Sequence, residues 1–294
     1  MSFAGGIPKR LKAIHVYPIR TILAATDFTP RSRAVAERAA MLAEAHGARL
    51  VVVHAIDPRP RPVKRLALGK APDPRKQAEA EMAKLRDSLA DLKPECHIGE
   101  EKPHDLVTRL ARDEGADLIV LGLHMARRVL DTVRLTTLER ITLNAPCPVL
   151  IAHDRQINPY KVVLGAVTFA PASARALQIA ASLAPEAAFH AIHALQLPLA
   201  AKLPTFDVTK SAEMTEAEML RHAFMEFDDL PECLSPPEIV PGGVHEVLQF
   251  RIAELKPDLV VIGSHSERDP KRLGNYTRDL MRAPPTDMLV AKPD

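Results

Sequence analysis

The sequence predicts two α/β domains in tandem, each a doubly wound parallel sheet with helices on both faces. Three observations carry that expectation. Two segments read almost alike, DLIVLGLHMARR from Asp117 and DLVVIGSHSERD from Asp258, 141 residues apart. Short β-branched-rich apolar runs alternate with stretches of helical periodicity along each half, which is the pattern of βα units whose strands are buried on both sides. At 294 residues, 47% hydrophobic and 26% charged, the chain has the length and apolar content for two cores of ordinary domain size.

The repeat extends beyond those segments. RTILAATDFTPRSRAVAERAA from Arg20 aligns with YKVVLGAVTFAPASARALQIAA from Tyr160, and RLVVVHAID from Arg49 with AFHAIHALQ from Ala188. PHDLVTRLA from Pro103 aligns with VHEVLQFRI from Val244, and APCPVLIAHD from Ala145 with PPTDMLVAKPD from Pro284. One unit used twice at so long a period is a tandem domain, not a solenoid. The expected domains are 1–154 and 158–294, divided in the polar stretch DRQINP.

In the first half the expected strands are Thr21–Ala25, Leu50–Ile56, Leu118–Leu121 and Val149–Ala152. Between the first two, Thr29 is placed to cap a helix with Pro30 in its first position. Val35, Ala39, Leu42 and Ala43 then share one face, and Gly47 stops the helix. A second helix starts at Asp73-Pro74 and turns Met82, Leu85, Leu89 and Leu92 inward. A third carries Leu106 and Leu110 up to Gly115, and a fourth carries Leu138 and Ile141. The second half repeats this with Ala176, Ile179, Ala180 and Leu183, then Ala217, Leu220, Phe224 and Phe227, then Leu248, Ile252 and Leu255. Right-handed crossovers between such strands give a parallel sheet covered on both sides.

Composition excludes several classes of function. A formal charge of +2 and 4% aromatic residues without tryptophan argue against nucleic acid as partner. No apolar run approaches the ~20 residues that cross a bilayer, and the opening MSFAGGIPKRLKAIHVYPIR has no continuous apolar stretch of a secretion signal. The expectation is a cytoplasmic protein without a membrane partner. Cys96, Cys147 and Cys233 match neither a metal-ligand spacing nor a disulfide framework and read as small buried hydrophobes.

Ligands of open parallel sheets sit beyond the carboxyl ends of the strands, where strand order reverses. The residues that close the strands are therefore the informative ones. They are Asp27-Phe28-Thr29-Pro30, His54-Ala55-Ile56-Asp57 and Gly122-Leu123-His124-Met125.

A strand ending T-D-F-T-P, a second ending V-V-V-H-A-I-D, and D-L-I-V-L-G-L-H followed by A-P-C-P-V-L-I together resemble the universal stress protein family, once per half. The resemblance implies a five-stranded parallel sheet in each domain, Rossmann-like or flavodoxin-like and akin to the adenine nucleotide alpha hydrolases. It also implies pairing of domains through their last strands, which a tandem chain can do internally as a pseudo-dimer, with a homodimer left open. Some members of the family bind ATP. In them an acidic residue after strand one and backbone at the end of strand two meet the adenosine, and G-x-x-G, nine residues, then G-[ST] wraps the phosphates.

Carried onto this chain, the adenosine positions are Asp27 and Ala55 in the first half, with Thr168 and Ala194 in the second. The phosphate stretch reads Gly122 to Met125, then Leu135-Thr136, so two of three glycines are missing. In the second half it reads Gly263 to Ser266, seven residues, then Gly274-Asn275. Neither half keeps the whole motif, and Asp27 favours the first. Arg127, Arg128 and Arg134, with Arg268, Lys271 and Arg272, can supply charge where glycines no longer supply N–H groups, or can be solvated loop residues.

Histidines recur at the strand ends of both halves: His54, His104 and His124, then His193, His245 and His265. Neutral imidazoles are good zinc ligands, yet no local ligand spacing is present. Structural histidines bonded to backbone are the competing reading. Pro58–Pro72 is proline-rich and basic with no acidic residue, which reads as a loop over the first pocket.

Three functions follow. One is a stress-response protein that senses an adenine nucleotide such as ATP through degenerate pockets. The second is a nucleotide-free interaction scaffold. The third is a slow ATPase or histidine-based metal hydrolase, which lacks a nucleophile–base spacing and a Walker lysine.

Overall fold

The computed structural model describes residues 17–58, 73–123, 135–153, 157–198, 207–228, 230–264 and 272–292. In chain order the elements are β1 (Thr21–Ala25), α1 (Pro30–His46), β2 (Arg49–Ala55), α2 (Pro74–Ser88), β3 (Glu95–Gly99), α3 (Pro103–Asp113), β4 (Leu118–Gly122), α4 (Thr137–Asn144) and β5 (Val149–Ala152). The same order returns in β6 (Val162–Ala166), α5 (Pro171–Leu183), β7 (Ala188–Leu195), α6 (Ala212–Met225), β8 (Glu238–Pro241), α7 (Val244–Leu255), β9 (Leu259–Gly263), α8 (Asn275–Arg282) and β10 (Asp287–Ala291). Each domain has five parallel strands, and the two join in one ten-stranded sheet of order β3-β2-β1-β4-β5-β10-β9-β6-β7-β8.

The junction is the single antiparallel pairing of the described sheet, β5 with β10, which places Ile151 opposite Met288 and Val149 opposite Val290. Leu150 and Leu289 in these strands are fully buried, each contributing about 1.5–3 kcal/mol of apolar burial. The domains are thus related by a pseudo-two-fold axis between their last strands. Flanking residues respect it. Tyr160, before β6, lies against Arg38 of α1 with the guanidinium 4.3 Å from the ring centre. Tyr17, before β1, lies against α5, its N–H donating to Ser182 Oγ at 2.9 Å and its ring 4.7 Å from the Arg175 guanidinium. One hydrophobic cluster runs unbroken from α1 and β1 to α5 and Phe224 of α6, so the core crosses the junction.

The aspartate that opens each repeated segment is explained by the start of the first strand. Asp117 Oδ2 accepts from the Arg20 and Thr21 amides at 2.8 and 2.9 Å. Asp258 Oδ2 does the same for Lys161 and Val162 at 2.8 and 3.0 Å. Backbone donors at a sheet end are otherwise left to water, and an ionised carboxylate accepts them strongly.

Several expectations need correction. Glu95–Gly99 and Glu238–Pro241 are strands that the apolar runs did not reveal, because both are edge strands of the sheet and carry polar residues. Thr29 occupies the cap position of α1, but its side chain does not cap the helix. Its hydroxyl donates instead to Asp27 Oδ1 at 2.6 Å. Leu89 and Leu92 pack against the core as expected, though from beyond the end of α2, whereas Leu220 of α6 is 47% exposed and Cys233 is exposed rather than buried. Gly47, at φ 59°, ends α1 in the left-handed conformation that favours glycine. Among the described residues no helix is long and apolar enough to cross a membrane. The boundary expected at 154–158 and the basic loop expected at 58–72 fall largely outside the described residues.

Candidate functional site

The first strand of each domain turns into its helix through a phenylalanine in an unusual conformation. Phe28 has φ 59° and Phe169 has φ 62°, a left-handed region that costs a non-glycine residue about 1–3 kcal/mol. Each ring lies on the histidine at the end of the second strand. Phe28 and His54 have centroids 4.3 Å apart, and Phe169 and His193 have centroids 4.4 Å apart with planes at 27°. Each histidine in turn ties back to the first strand. His54 Nδ1 is 2.8 Å from the Thr26 carbonyl, and His193 Nδ1 is 3.0 Å from the Val167 carbonyl. These two histidines therefore bond backbone, as one of the alternatives required.

In the second domain this corner borders a cleft. The strand ends Val167-Thr168 and His193-Ala194, with Val244 and Val247 of α7 and Tyr276 of α8, enclose about 70 Å³. That is well below the ~300–1,000 Å³ of a site holding a complete drug-sized molecule. The lining is mostly aliphatic. Its polar groups are His193, Thr168 and Tyr276. Burial lowers the His193 pKa, the bond to Val167 opposing it in part, and burial raises that of the Tyr276 phenol.

The remaining expected site residues are placed as follows. Asp27 is exposed, and its Oδ1 accepts from both the amide and the hydroxyl of Thr29, at 3.0 and 2.6 Å. Ala55 ends β2, half-buried, and Ala194 lines the second-domain cleft. Gly122 and Gly263 end β4 and β9. A β-carbon on Gly122 would stand 2.8 Å from Val35 Cγ2, and one on Gly263 would stand 3.0 Å from Ala172 Cβ and 3.3 Å from the Ser173 nitrogen. Close packing of α1 and α5 on the strand ends therefore favours glycine at both positions without any ligand. Met125, Ser266, His124 and His265 lie outside the described residues.

The helix starts that would face a ligand's phosphates differ between domains. Thr136 begins α4 with a capping box: the Thr136 amide donates to Glu139 Oε2 at 2.7 Å and the Glu139 amide to Thr136 Oγ1 at 3.2 Å. Glu139 is fully buried, and its Oε1 meets Arg282 Nε of the other domain at 2.8 Å. Leu135 is 39% exposed. In α8 the cap is Gly274, with no side-chain hydrogen bond, and Asn275 is the first helical residue. The Gly274 amide donates to the Ser264 carbonyl at 3.1 Å, while the first-turn amides of α8 meet no side chain from the cap residue, and at the positive end of the helix dipole such amides favour an anion.

His104 and His245 occupy the second positions of α3 and α7. His104 Nε2 is 3.5 Å from Asp105 Oδ1, and His245 Nε2 is 3.7 Å from Asp279 Oδ2, with its ring against Tyr276. Among the described residues no three His, Cys, Asp or Glu side chains converge as metal ligands would. Sequence reasoning missed Phe169, Val247 and Tyr276. The matched phenylalanines of TDFTP and VTFAP were a signal for the first, whereas nothing local marks the other two.

The universal stress protein family model matches residues 18–153 and matches again at 159–292. The chain belongs to the universal stress protein family. A curated universal stress protein of Thermus aquaticus is 31% identical over 138 residues, covering 46% of this chain and 98% of that one. Among solved structures, a universal stress protein of Archaeoglobus fulgidus superposes with a TM-score of 0.65 at 17% identity over 95% of this chain and 98% of its own. One from Pseudomonas aeruginosa gives 0.62 at 18% identity, covering 94% of each. At that identity the likeness concerns the fold. The universal stress protein fold is thus present twice in this chain, and its second copy carries the cleft at the end of the strands.

Proposed function

We propose that this universal stress protein senses a small ligand, an adenine nucleotide, through the cleft of its second domain, in a stress-response or regulatory role. The observation that carries the reading is the cleft beside Thr168 and Ala194, the positions that the family resemblance assigns to adenosine, with the glycine-capped start of α8 on the same edge. The edge of a flat base suits the mostly aliphatic space, and the helix start favours the negative phosphates.

The first domain supports a different reading, an interaction scaffold without nucleotide. There Asp27 Oδ1 serves its own turn and the Thr136 amide serves its own cap. Thermal-shift measurements with ATP, ADP, AMP and GTP at millimolar concentration test both readings. Stabilisation that is lost in Ala194→Phe, which fills the cleft, and kept in Asp27→Ala is the expected pattern. The reverse pattern moves the site to the first domain, and no shift with any nucleotide removes the sensing role.

A further inference from the structure

We propose that His193 is the specificity-determining residue of the second-domain cleft, offering Nε2 as a bare hydrogen-bond acceptor that selects a ring carrying an N–H donor and rejects one carrying a carbonyl. The inference rests on the nucleotide reading above and deepens it, since the adenine amino group is such a donor.

The argument begins with the tautomer. A carbonyl oxygen only accepts, so the 3.0 Å contact between His193 Nδ1 and the Val167 carbonyl puts the proton on Nδ1. In the neutral ring Nε2 is then an acceptor with no proton of its own. Position is fixed as well. Phe169, held at φ 62°, lies flat on the imidazole, and Phe224 packs edge-on against Phe169 at 5.7 Å. The ring can neither swing out nor turn over without breaking the Val167 bond. Because His193 lines the cleft and Nδ1 is taken up by backbone, Nε2 is the polar atom the ring has left for a ligand.

Ala194, Val244 and Val247 offer nothing polar from their side chains, and the other polar side chains of the lining are the hydroxyls of Thr168 and Tyr276, so the imidazole is the one side chain there that offers an acceptor without a proton. An N–H satisfies it, whereas a carbonyl oxygen sets two acceptors against each other and loses its water. Adenosine and inosine differ in this feature, the amino group at C6 becoming a carbonyl, and so they report on it directly.

The test measures binding of adenosine and of inosine to the full chain by calorimetry, for the unaltered protein, His193→Asn and His54→Asn. Asparagine keeps a donor near the Nδ1 position and has nothing at Nε2. The expected result is a preference for adenosine of about tenfold or more that collapses to near parity in His193→Asn and persists in His54→Asn. Equal binding of adenosine and inosine by the unaltered protein overturns the role of His193 and leaves the nucleotide reading standing. Binding of neither nucleoside overturns the role of His193, and the nucleotide reading is decided by the thermal-shift series. Should His193→Asn fail to fold, long-range proton–nitrogen spectra of the unaltered protein decide. Protonated Nδ1 with an Nε2 resonance moved by adenosine supports the proposal, and protonated Nε2 or an unmoved resonance overturns it.

Discussion

Arg38 of α1 and Asp287 of β10 form a buried ion pair across the two domains, with Arg38 Nε 2.8 Å from Asp287 Oδ2 and side-chain exposures of 2% and 0%. The approach of Nε lies off its N–H direction, so it is a charge contact rather than a directed hydrogen bond. Arg38 Nη1 donates to the Asn158 carbonyl at 2.6 Å. Asp287 accepts from the His153 amide and the Tyr160 hydroxyl, both at 2.7 Å. The charges are thus compensated from both domains and from the segment between them.

Removing one member of such a pair leaves an uncompensated buried charge, which costs about 3–5 kcal/mol. Arg38→Met is expected to lower the unfolding free energy by that amount in urea titrations. A loss under about 1 kcal/mol would show that Asp287 finds other compensation.

Tyr160→Phe removes one donor to the same carboxylate while keeping the ring under Arg38. A loss of about 1–3 kcal/mol is expected. Because the variant touches the junction alone, the nucleotide response of the cleft should persist. A large loss of ligand response without loss of stability contradicts this assignment.

Glu139 is capped and charge-matched by groups from different domains, the Thr136 amide and Arg282. Arg282→Met is expected to destabilise by about 1–3 kcal/mol, discounted because Arg282 is partly exposed. Differential scanning calorimetry checks it: the single transition of a coupled pair should broaden or split, and an unchanged trace refutes the coupling.

Acid should destabilise the fold through His193 and His46, whose pKa values burial holds below the ordinary 6.5. The sign follows from proton binding. Below pH 6.5 the unfolded chain takes up protons that these folded histidines refuse, so stability present above 6.5 is lost as pH falls toward their lowered values. Melting temperatures across pH 5.5 to 7.5 should fall on the acid side and fall less in His193→Asn. An identical slope in that variant would assign the effect elsewhere.

Gly263→Ala places a methyl 3.0 Å from Ala172 Cβ and 3.2 Å from the Ala172 backbone carbon, atoms that cannot rotate away. A cost of about 1–3 kcal/mol is expected from overpacking. Chemical denaturation measures it, and a neutral outcome would mean that α5 shifts freely.

Much of this protein was legible in its order of residues. The duplication, the alternation of strand and helix, the glycine stop at Gly47 and the histidines tied to strand ends all follow from local patterns, because strand and helix periods and chain reversals are written over a few neighbouring residues. Membership of the family was legible for the same reason, since its motifs sit on contiguous strand ends. Edge strands Glu95–Gly99 and Glu238–Pro241 were not, because a half-exposed strand need not alternate cleanly. Tertiary structure alone decided that Arg38 meets Asp287, that Arg282 meets Glu139, and that Val247 and Tyr276 join His193 around one cleft. These partners lie on separate elements, and the long separations between them along the chain are closed by sheet order and the β5–β10 pairing. That closure depends on the sum of the packing, which no local window of sequence contains.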